Sequence, residues 1–289
     1  MKFKRRRLLS SLLGFFTGVG TAATGPVASR ASEREIEAKT VEELFRAIGS
    51  NRTIKLTAPR YDLSELTAAL SWTNANFEND TLTIFGVENL RIVGDRESKP
   101  FVLTPYEYSP VLNFVNCRQI GVEGIEAGHW PKKGICSGAV VHLENCDRVE
   151  INHSVLFGSG SIGIRGDRVS NLSCDGITIK ECTAHIFAYF NSSGLQVKNS
   201  DFYNNEGRYL IYLVRSEEPF QFENCSFFRN NFNRELVSFL VDTIPENTPV
   251  QFVDCTIENN NITAISEQPL SLEFINTYID KTGFEEESP

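Results

Sequence analysis

The chain has 289 residues, of which 41% are hydrophobic and 22% are charged, a balance typical of a chain that buries a core and not of one that is disordered throughout. Its net charge is −9, and because positions 1–31 hold six basic and no acidic residues, the rest of the chain carries −15. So acidic a chain is a poor match for nucleic acid or an anionic membrane surface, and we expect neither as a partner.

Residues 1–31 have the organisation of an export signal. An arginine triplet that starts at Arg5 precedes a weakly apolar run over 8–19, which is shorter than the roughly 20 residues of a transmembrane helix. We therefore predict a signal peptide over 1–31, with Ala23 as a competing cleavage site and no membrane anchor in the mature chain. The arginine triplet resembles a twin-arginine signal, with the general secretory route as the alternative. We expect a periplasmic or secreted protein.

The first predicted element of the mature chain is a short helix. Thr40-Val-Glu-Glu43 is a capping box, which satisfies free N–H groups at a helix start, and it predicts an amphipathic helix through Ile48. That helix would cover the apolar N-terminal end of the core. The alternating segments that begin at Thr53 and Tyr61 are predicted as the first strands.

From residue 90 to residue 276 one phrase recurs: an apolar residue, any residue, an apolar residue, any residue, then usually Gly, Asn or Asp. The phrase begins at Leu90, Ile120, Val149, Leu172, Leu195, Phe220, Val250 and Leu272. Such alternation predicts short strands with one buried face, each followed by a tight turn. Because no amphipathic helices separate these strands, we predict that they stack in parallel, about 4.8 Å apart, as successive coils of a solenoid.

Two further patterns accompany the phrase. A second set of apolar segments, predicted as another strand of each coil, begins at Val111, Val140, Ile186, Leu210 and Val237. Stacked turn residues are predicted to form two columns, one with Asn199, Asn224, Asp254 and Asn276, and one with Asn116 and Asn145.

The seven cysteines are explained by the same stacking. Cys117 is predicted to lie over Cys146, and Cys225 over Cys255, within the range that a disulfide could bridge. Reduced thiols packed in a corner are the favoured interpretation and inter-coil disulfides the alternative. The Cys and His spacings match no zinc motif, so no structural metal is predicted.

Several of these features together resemble the right-handed parallel β-helix repeat proteins of the pectate-lyase-like superfamily. They are the capping helix, the Thr53-Ile-Lys-Leu56 entry, the Asn-Cys and Asn-Ser turns, and the segment that runs from Gly128-His129 to Gly134-Ile-Cys-Ser-Gly138. The resemblance covers about residues 38–280. It implies an all-β fold, a right-handed parallel β-helix with a short N-terminal capping helix, as a single domain over 32–289.

Polysaccharide lyases and hydrolases on such a fold act on one outward strand face, which directs attention to the outward side chains of the repeated phrase. Glu150 and Asp175 are candidate catalytic carboxylates, since the separation of nearby coils approaches that of an inverting glycosidase pair. Glu123, Lys198 and Arg91 are candidate substrate-binding residues. The same group could instead hold Ca²⁺ together with a uronate.

The tetrapeptide Gly128-His129-Trp130-Pro131 is predicted to lie in a loop that protrudes after Ile125. His129 is a candidate general acid or base, and Trp130 a candidate platform for sugar stacking.

Two functions follow from these expectations. The first is an exported, monomeric β-helix that binds, and in one version cleaves, a polysaccharide or other cell-envelope polymer along a strand face. The second is a non-catalytic structural or partner-binding scaffold that uses the same surface.

Overall fold

The computed structural model describes residues 34–66, 70–132, 138–216, 220–232, 239–244, 248–262, 264–266 and 272–280. The predicted signal peptide over 1–31 lies outside these ranges, and so does the part of the resemblance segment over 133–137. No helix among the described residues is long and apolar enough to cross a membrane.

The described residues form coils whose strands fall into three long sheets. The first sheet has ten strands, all paired in parallel. They are Arg34–Ala38, Arg52–Leu56, Glu88–Val93, Arg118–Glu123, Asp147–Asn152, Ser170–Asp175, Ser193–Lys198, Phe220–Glu223, Val250–Val253 and Leu272–Ile275.

The first sheet confirms the repeat prediction residue by residue. Leu90 pairs with Ile120, Ile120 with Val149, and Val149 with Leu172, so the first apolar positions of the phrase are vertical neighbours. The all-β parallel solenoid is therefore confirmed.

The second sheet has nine strands, also paired in parallel, and its strands are short. They are Arg60–Asp62, Phe101–Thr104, Glu126–His129, Val155–Phe157, Thr178–Lys180, Asp201–Tyr203, Ser226–Phe228, Thr256–Glu258 and Tyr278–Ile279. In each strand of three residues, the middle residue is buried in the core and the two others point outward. The strands Phe101–Thr104, Glu126–His129 and Tyr278–Ile279 have four or two residues and do not follow this pattern.

The third sheet has ten strands, of which the first three pair antiparallel and the others in parallel. They are Leu70–Trp72, Ala75–Glu78, Thr81–Phe85, Leu112–Val115, Val141–Glu144, Ile162–Asp167, His185–Phe190, Tyr209–Val214, Phe239–Ile244 and Ala264–Ser266. A two-stranded sheet pairs Glu206–Gly207 with Asn231–Phe232.

The third sheet departs from the sequence prediction in part. The strand Ile162–Asp167 was not predicted, and Val237, where one segment was predicted to start, lies outside the described residues. Leu210 stacks on Leu240, because Tyr209 pairs with Phe239 and Ile211 with Val241.

The predicted helix is present as Val41–Ala47, and Glu43 donates its backbone N–H to the Thr40 hydroxyl at 3.1 Å. Val41, Leu44 and Phe45 are buried in the main core, next to the strands Arg34–Ala38 and Arg52–Leu56. That the helix closes the end of the core stays a prediction. A single turn of 3₁₀ helix follows at Leu63–Glu65.

The corners between sheets carry asparagine ladders. Asn199, Asn224, Asp254 and Asn276 all have φ near +50°, the left-handed region that Asn and Asp tolerate best, which confirms the predicted column. Asn224 Nδ2 donates to Asn199 Oδ1 at 2.7 Å, so the side chains link one coil to the next. A second ladder, buried and not predicted, joins Asn205, Asn230 and Asn260.

The six cysteines among the described residues are free and buried, and that these thiols stay reduced remains a prediction. The backbone N–H of Asp147 donates to the Cys117 carbonyl, which places Cys117 and Cys146 in adjacent coils. Burial raises the pKa of the Cys174 thiol, so this thiol is not a ready nucleophile.

Candidate functional site

The predicted site residues of the first sheet do point outward, in two columns. One column contains Arg91 and Glu150, and the other contains Glu123, Asp175 and Lys198. Glu150 pairs with Ser173 while Asp175 pairs with Asn152, so these two carboxylates lie one coil apart in different columns.

Glu123 is held by two arginines. Arg91 Nη2 lies 2.9 Å from one carboxylate oxygen, and Arg96 Nε donates to the other at 2.9 Å. The hydrogen bonds from Arg96, and the charges of Arg96 and Arg91, hold the pKa of Glu123 below its usual range. The Glu123 side chain is only 14% exposed and both of its oxygens are paired with arginines, whereas the Arg91 side chain is 46% exposed.

Asp175 and Lys198 also have protein partners. Asn199 Nδ2 donates to Asp175 Oδ1 at 2.7 Å, and Lys198 Nζ lies 2.7 Å from Glu223 Oε2. The hydrogen bond with Glu223 raises the pKa of Lys198. Both side chains thus belong to the polar network that covers this face.

Glu150 borders a shallow polar depression of about 200 Å³ on the first sheet. The depression lies over Gly121, where the missing side chain leaves a gap between Arg91 and Glu150 in the coils on either side. Asp175 does not line it. The structure therefore does not gather the predicted carboxylates into one cleft.

His129 is not in a protruding loop, and that prediction was wrong. It is the last residue of the strand Glu126–His129, is 2% exposed, and its Nε2 donates to the Ser109 carbonyl at 2.9 Å. Its Nδ1 is buried without a partner among the described residues. Because it faces the interior while Trp130 is 52% exposed, the two side chains do not form a joint site.

Burial lowers the pKa of His129, which gives stability a dependence on pH. The unfolded chain, with a pKa near 6.5, binds the proton more readily than the folded chain, so stability is full above pH 6.5 and falls as the pH is lowered through that value. We expect His129→Gln to reduce this slope, by at most about 1.4 kcal/mol per pH unit, in urea unfolding measured between pH 8 and pH 5.

The slope should not vanish in the variant, because burial lowers the pKa values of His142 and His185 as well. An unchanged slope in His129→Gln would contradict the assignment of His129 as a buried neutral imidazole.

A larger cleft, of about 370 Å³, lies on the second sheet. It is lined by Arg60, Phe101, Leu103, Glu126, Trp130, Phe157, Lys180 and Glu181. The residues come from five successive coils, since Arg60 pairs with Phe101, Phe101 with Glu126, and the strands Val155–Phe157 and Thr178–Lys180 follow.

The shape of the cleft depends on a glycine. Gly128 occupies an outward position between Leu103 and Phe157, and a Cβ there would lie 2.6 Å from the Phe157 carbonyl and 2.7 Å from its ring. The absent side chain lets the Phe157 ring lie close to the sheet. Trp130, beyond the end of the strand, borders the cleft from the side.

The charges of the cleft are mixed. Arg60 is paired with Asp62 at 2.7 Å, and the Lys180 ammonium lies 5.8 Å from the centre of the Phe157 ring. No ion pair links Lys180, Glu126 or Glu181 to another described residue. The cleft therefore presents rings, the Lys180 ammonium and carboxylates, groups that can stack and form hydrogen bonds.

A calcium site has no support in the described part of the chain, where no group of three or more His, Cys, Asp or Glu side chains is placed to hold a metal ion.

Of the predicted site residues, Trp130 alone lines the second-sheet cleft. Phe101, Phe157 and Lys180 were missed, although their alternation with the buried Val102, Leu156 and Ile179 was a readable signal.

Stacked parallel coils define a parallel β-helix, and one outward face of it carries an aromatic cleft. The model of the right-handed beta helix region matches residues 132–277, half of the chain, and the protein belongs to this family. The predicted handedness is thereby confirmed. No curated protein matches the sequence.

The solved structures that are similar to this chain include the following three. A candidate glycosyl hydrolase of Parabacteroides merdae has 10% identity and a TM-score of 0.39, with 81% of this chain and 96% of that chain covered. PfbA, a surface adhesin of Streptococcus pneumoniae, has 9% identity and a TM-score of 0.40, with 82% and 71% covered. The A-module of the mannuronan C-5 epimerase AlgE4 of Azotobacter vinelandii has 12% identity and a TM-score of 0.25, with 84% and 97% covered. At such values the likenesses carry no functional argument.

Proposed function

We propose that the protein binds a polysaccharide in the second-sheet cleft. The observation that carries the proposal is the exposure of two aromatic rings at its border, with Trp130 52% and Phe101 39% exposed beside a cleft of about 370 Å³. Exposed rings that border a concave site favour a ligand with apolar faces, and the pyranose ring of a sugar has such faces.

The remaining lining suits the hydroxyl groups of a sugar. Glu126 and Glu181 accept hydrogen bonds, and Lys180 donates them. The first-sheet face is a weaker candidate, because Glu123, Asp175 and Lys198 already bond to protein groups.

We expect Trp130→Ala to weaken binding roughly tenfold to a hundredfold, through the loss of ring stacking and buried area. The measurement is calorimetric titration against β-glucan, galactomannan, xylan, polygalacturonate and alginate. The matched control is Trp72→Ala, which removes a tryptophan that is 42% exposed on the third sheet. Equal losses in both variants, or a wild type that binds none of the polymers, would exclude the cleft as the binding site.

We also propose that the protein could cleave the polysaccharide that it binds. Glu126 and Glu181 are the carboxylates that line the cleft, whereas the predicted Glu150 and Asp175 lie on another sheet. Assay of new reducing or unsaturated ends in the titration mixtures distinguishes a cleaving enzyme from a binding protein. Binding without product would favour the non-catalytic scaffold.

We further propose that the protein acts outside the cytoplasm as a monomer. The proposal is supported by the basic and apolar pattern of residues 1–31, and polysaccharides of the cell envelope are accessible there. Cell fractionation of a tagged chain tests the location, and light scattering tests the oligomeric state.

A further inference from the structure

Outward side chains continue past the cleft along the second sheet. Phe157 pairs with Lys180, Lys180 with Tyr203, and Tyr203 with Phe228, one in each successive coil. All four are partly exposed. The Tyr203 and Phe228 rings stack with their centres 5.0 Å apart. We call these four residues the outer row.

Smaller or polar side chains border the outer row on both sides. On one side, Thr178 and Ser226 occupy the outward positions two residues earlier in their strands. On the other side, Glu181, Asn204 and Arg229 are exposed turn residues with φ between 53° and 59°. A row of three rings and Lys180 between two lines of hydrogen-bonding groups is suited to a chain of sugars, which alternates apolar ring faces with hydroxyl edges.

The charges along this surface are mostly negative. The cations Lys180 and Arg229 lie over the rings of Phe157 and Phe228, at 5.8 and 6.0 Å from their centres. Neither cation has an ion pair among the described residues. The carboxylates along the cleft and the outer row that have no ion pair with another described residue are Glu126, Glu181 and Asp201, and Glu258 lies one coil beyond Phe228. They outnumber the two cations, so an acidic polymer would be repelled.

We propose that the cleft and the outer row form one continuous track that holds an extended, uncharged glycan across the coils, parallel to the solenoid axis. This inference rests on the proposed function and names the class and direction of its ligand. Because the coils are about 4.8 Å apart, the track from Arg60 to Phe228 is about 29 Å long, which is longer than the cleft alone.

The test is a length series. Oligosaccharides from disaccharide to octasaccharide are prepared from whichever polymer of the panel binds most tightly, and the Kd of each is measured. We expect the most tightly bound polymer to be β-glucan, galactomannan or xylan, and we expect the Kd to keep falling beyond the length that fills the cleft. Tightest binding of polygalacturonate or alginate at physiological salt would overturn the uncharged class.

Variants of the outer row localise the effect. In Tyr203→Ala and Phe228→Ala, the Kd of the octasaccharide should rise about threefold to tenfold, while that of a disaccharide bound in the cleft is unchanged. Tyr212→Ala is the matched control, since it removes a partly exposed ring of the third sheet. Circular dichroism and a thermal unfolding curve establish that each variant is folded. Phe228→Leu, which keeps the packing but not the ring, serves if Phe228→Ala unfolds.

The outcomes separate the two proposals. A Kd that stops falling at the length of the cleft, or an octasaccharide affinity unchanged in both outer-row variants, would overturn the track and leave the cleft as the binding site. If Trp130→Ala leaves the binding of every length unchanged, the proposed function itself fails.

Discussion

Asn230→Ala is expected to lower the free energy of unfolding by about 3–5 kcal/mol, since it removes the centre of the buried asparagine ladder. Asn230 Nδ2 donates to the Phe202 carbonyl and to Asn260 Oδ1, each at 2.9 Å. Its Oδ1 accepts the backbone N–H and the side-chain amide of Asn205, each at 3.0 Å. The substitution would remove the side-chain partner of the Asn205 backbone N–H and of the Phe202 carbonyl, and each buried group left unpaired costs about 1–3 kcal/mol. Asn260 Oδ1 would keep the backbone N–H of residue 230, and Asn205 Nδ2 would keep the Ile179 carbonyl.

The control for this prediction is the next residue. Asn231 is exposed, and its side chain accepts one hydrogen bond from Asn261 at 3.2 Å. Asn231→Ala should change stability by no more than about 0.5 kcal/mol. Urea unfolding followed by circular dichroism measures both variants. Similar midpoints for the two would show that the buried ladder is not a major source of stability.

Phe222→Ala should cost about 3–5 kcal/mol, the usual range for removing a buried aromatic ring. The Phe222 ring is fully buried and lies 5.2 Å from the ring of Phe252, 5.8 Å from Phe227 and 5.9 Å from Phe187, measured between centres. It therefore links the first sheet to both other sheets, and its loss would leave a cavity where the three sheets meet.

Phe222→Leu should cost clearly less than Phe222→Ala, because leucine refills much of the volume. Tyr278→Ala, at a position that is 58% exposed, should have little effect. Thermal unfolding of the three variants ranks these costs. A Phe222→Ala variant as stable as Tyr278→Ala would contradict the account of the core.

Most of the first sheet could be predicted because its signal is local. In every repeat of the phrase, alternate residues are apolar and a turn residue follows, and the pairing of Leu90, Ile120 and Val149 is as predicted. The turn column was equally readable, since Asn199 and Asn224 have the left-handed backbone that Asn accommodates.

The missed strand of the third sheet has a physical reason. Ile162–Asp167 contains Gly163 and Gly166 at positions where its neighbours have apolar side chains. A Cβ on Gly166 would collide with the ring of Tyr189, which lies in the next coil. The Tyr189 ring therefore occupies the space over Gly166 that an apolar side chain of this strand would otherwise fill. For that reason the strand itself lacks the alternating apolar pattern.

The prediction for His129 failed for a related reason. A polar residue next to an exposed Trp130 indicates a surface loop, but the strand alternation turns His129 inward and the Ser109 carbonyl satisfies its Nε2. Its acceptor lies 20 residues earlier in the chain, and no local pattern relates the two.

The sequence by itself determined the coils, their parallel stacking and the residues that face inward, because alternation along a strand is set by neighbours two residues apart. Tertiary structure alone decided where the cleft lies. The cleft exists because side chains from five coils, such as Phe101, Trp130 and Lys180, meet on one face, where Gly128 lets the Phe157 ring lie close to the sheet. Tertiary structure also pairs Glu123 with Arg91 and Arg96. These residues are distant in the chain and come together only when the coils stack.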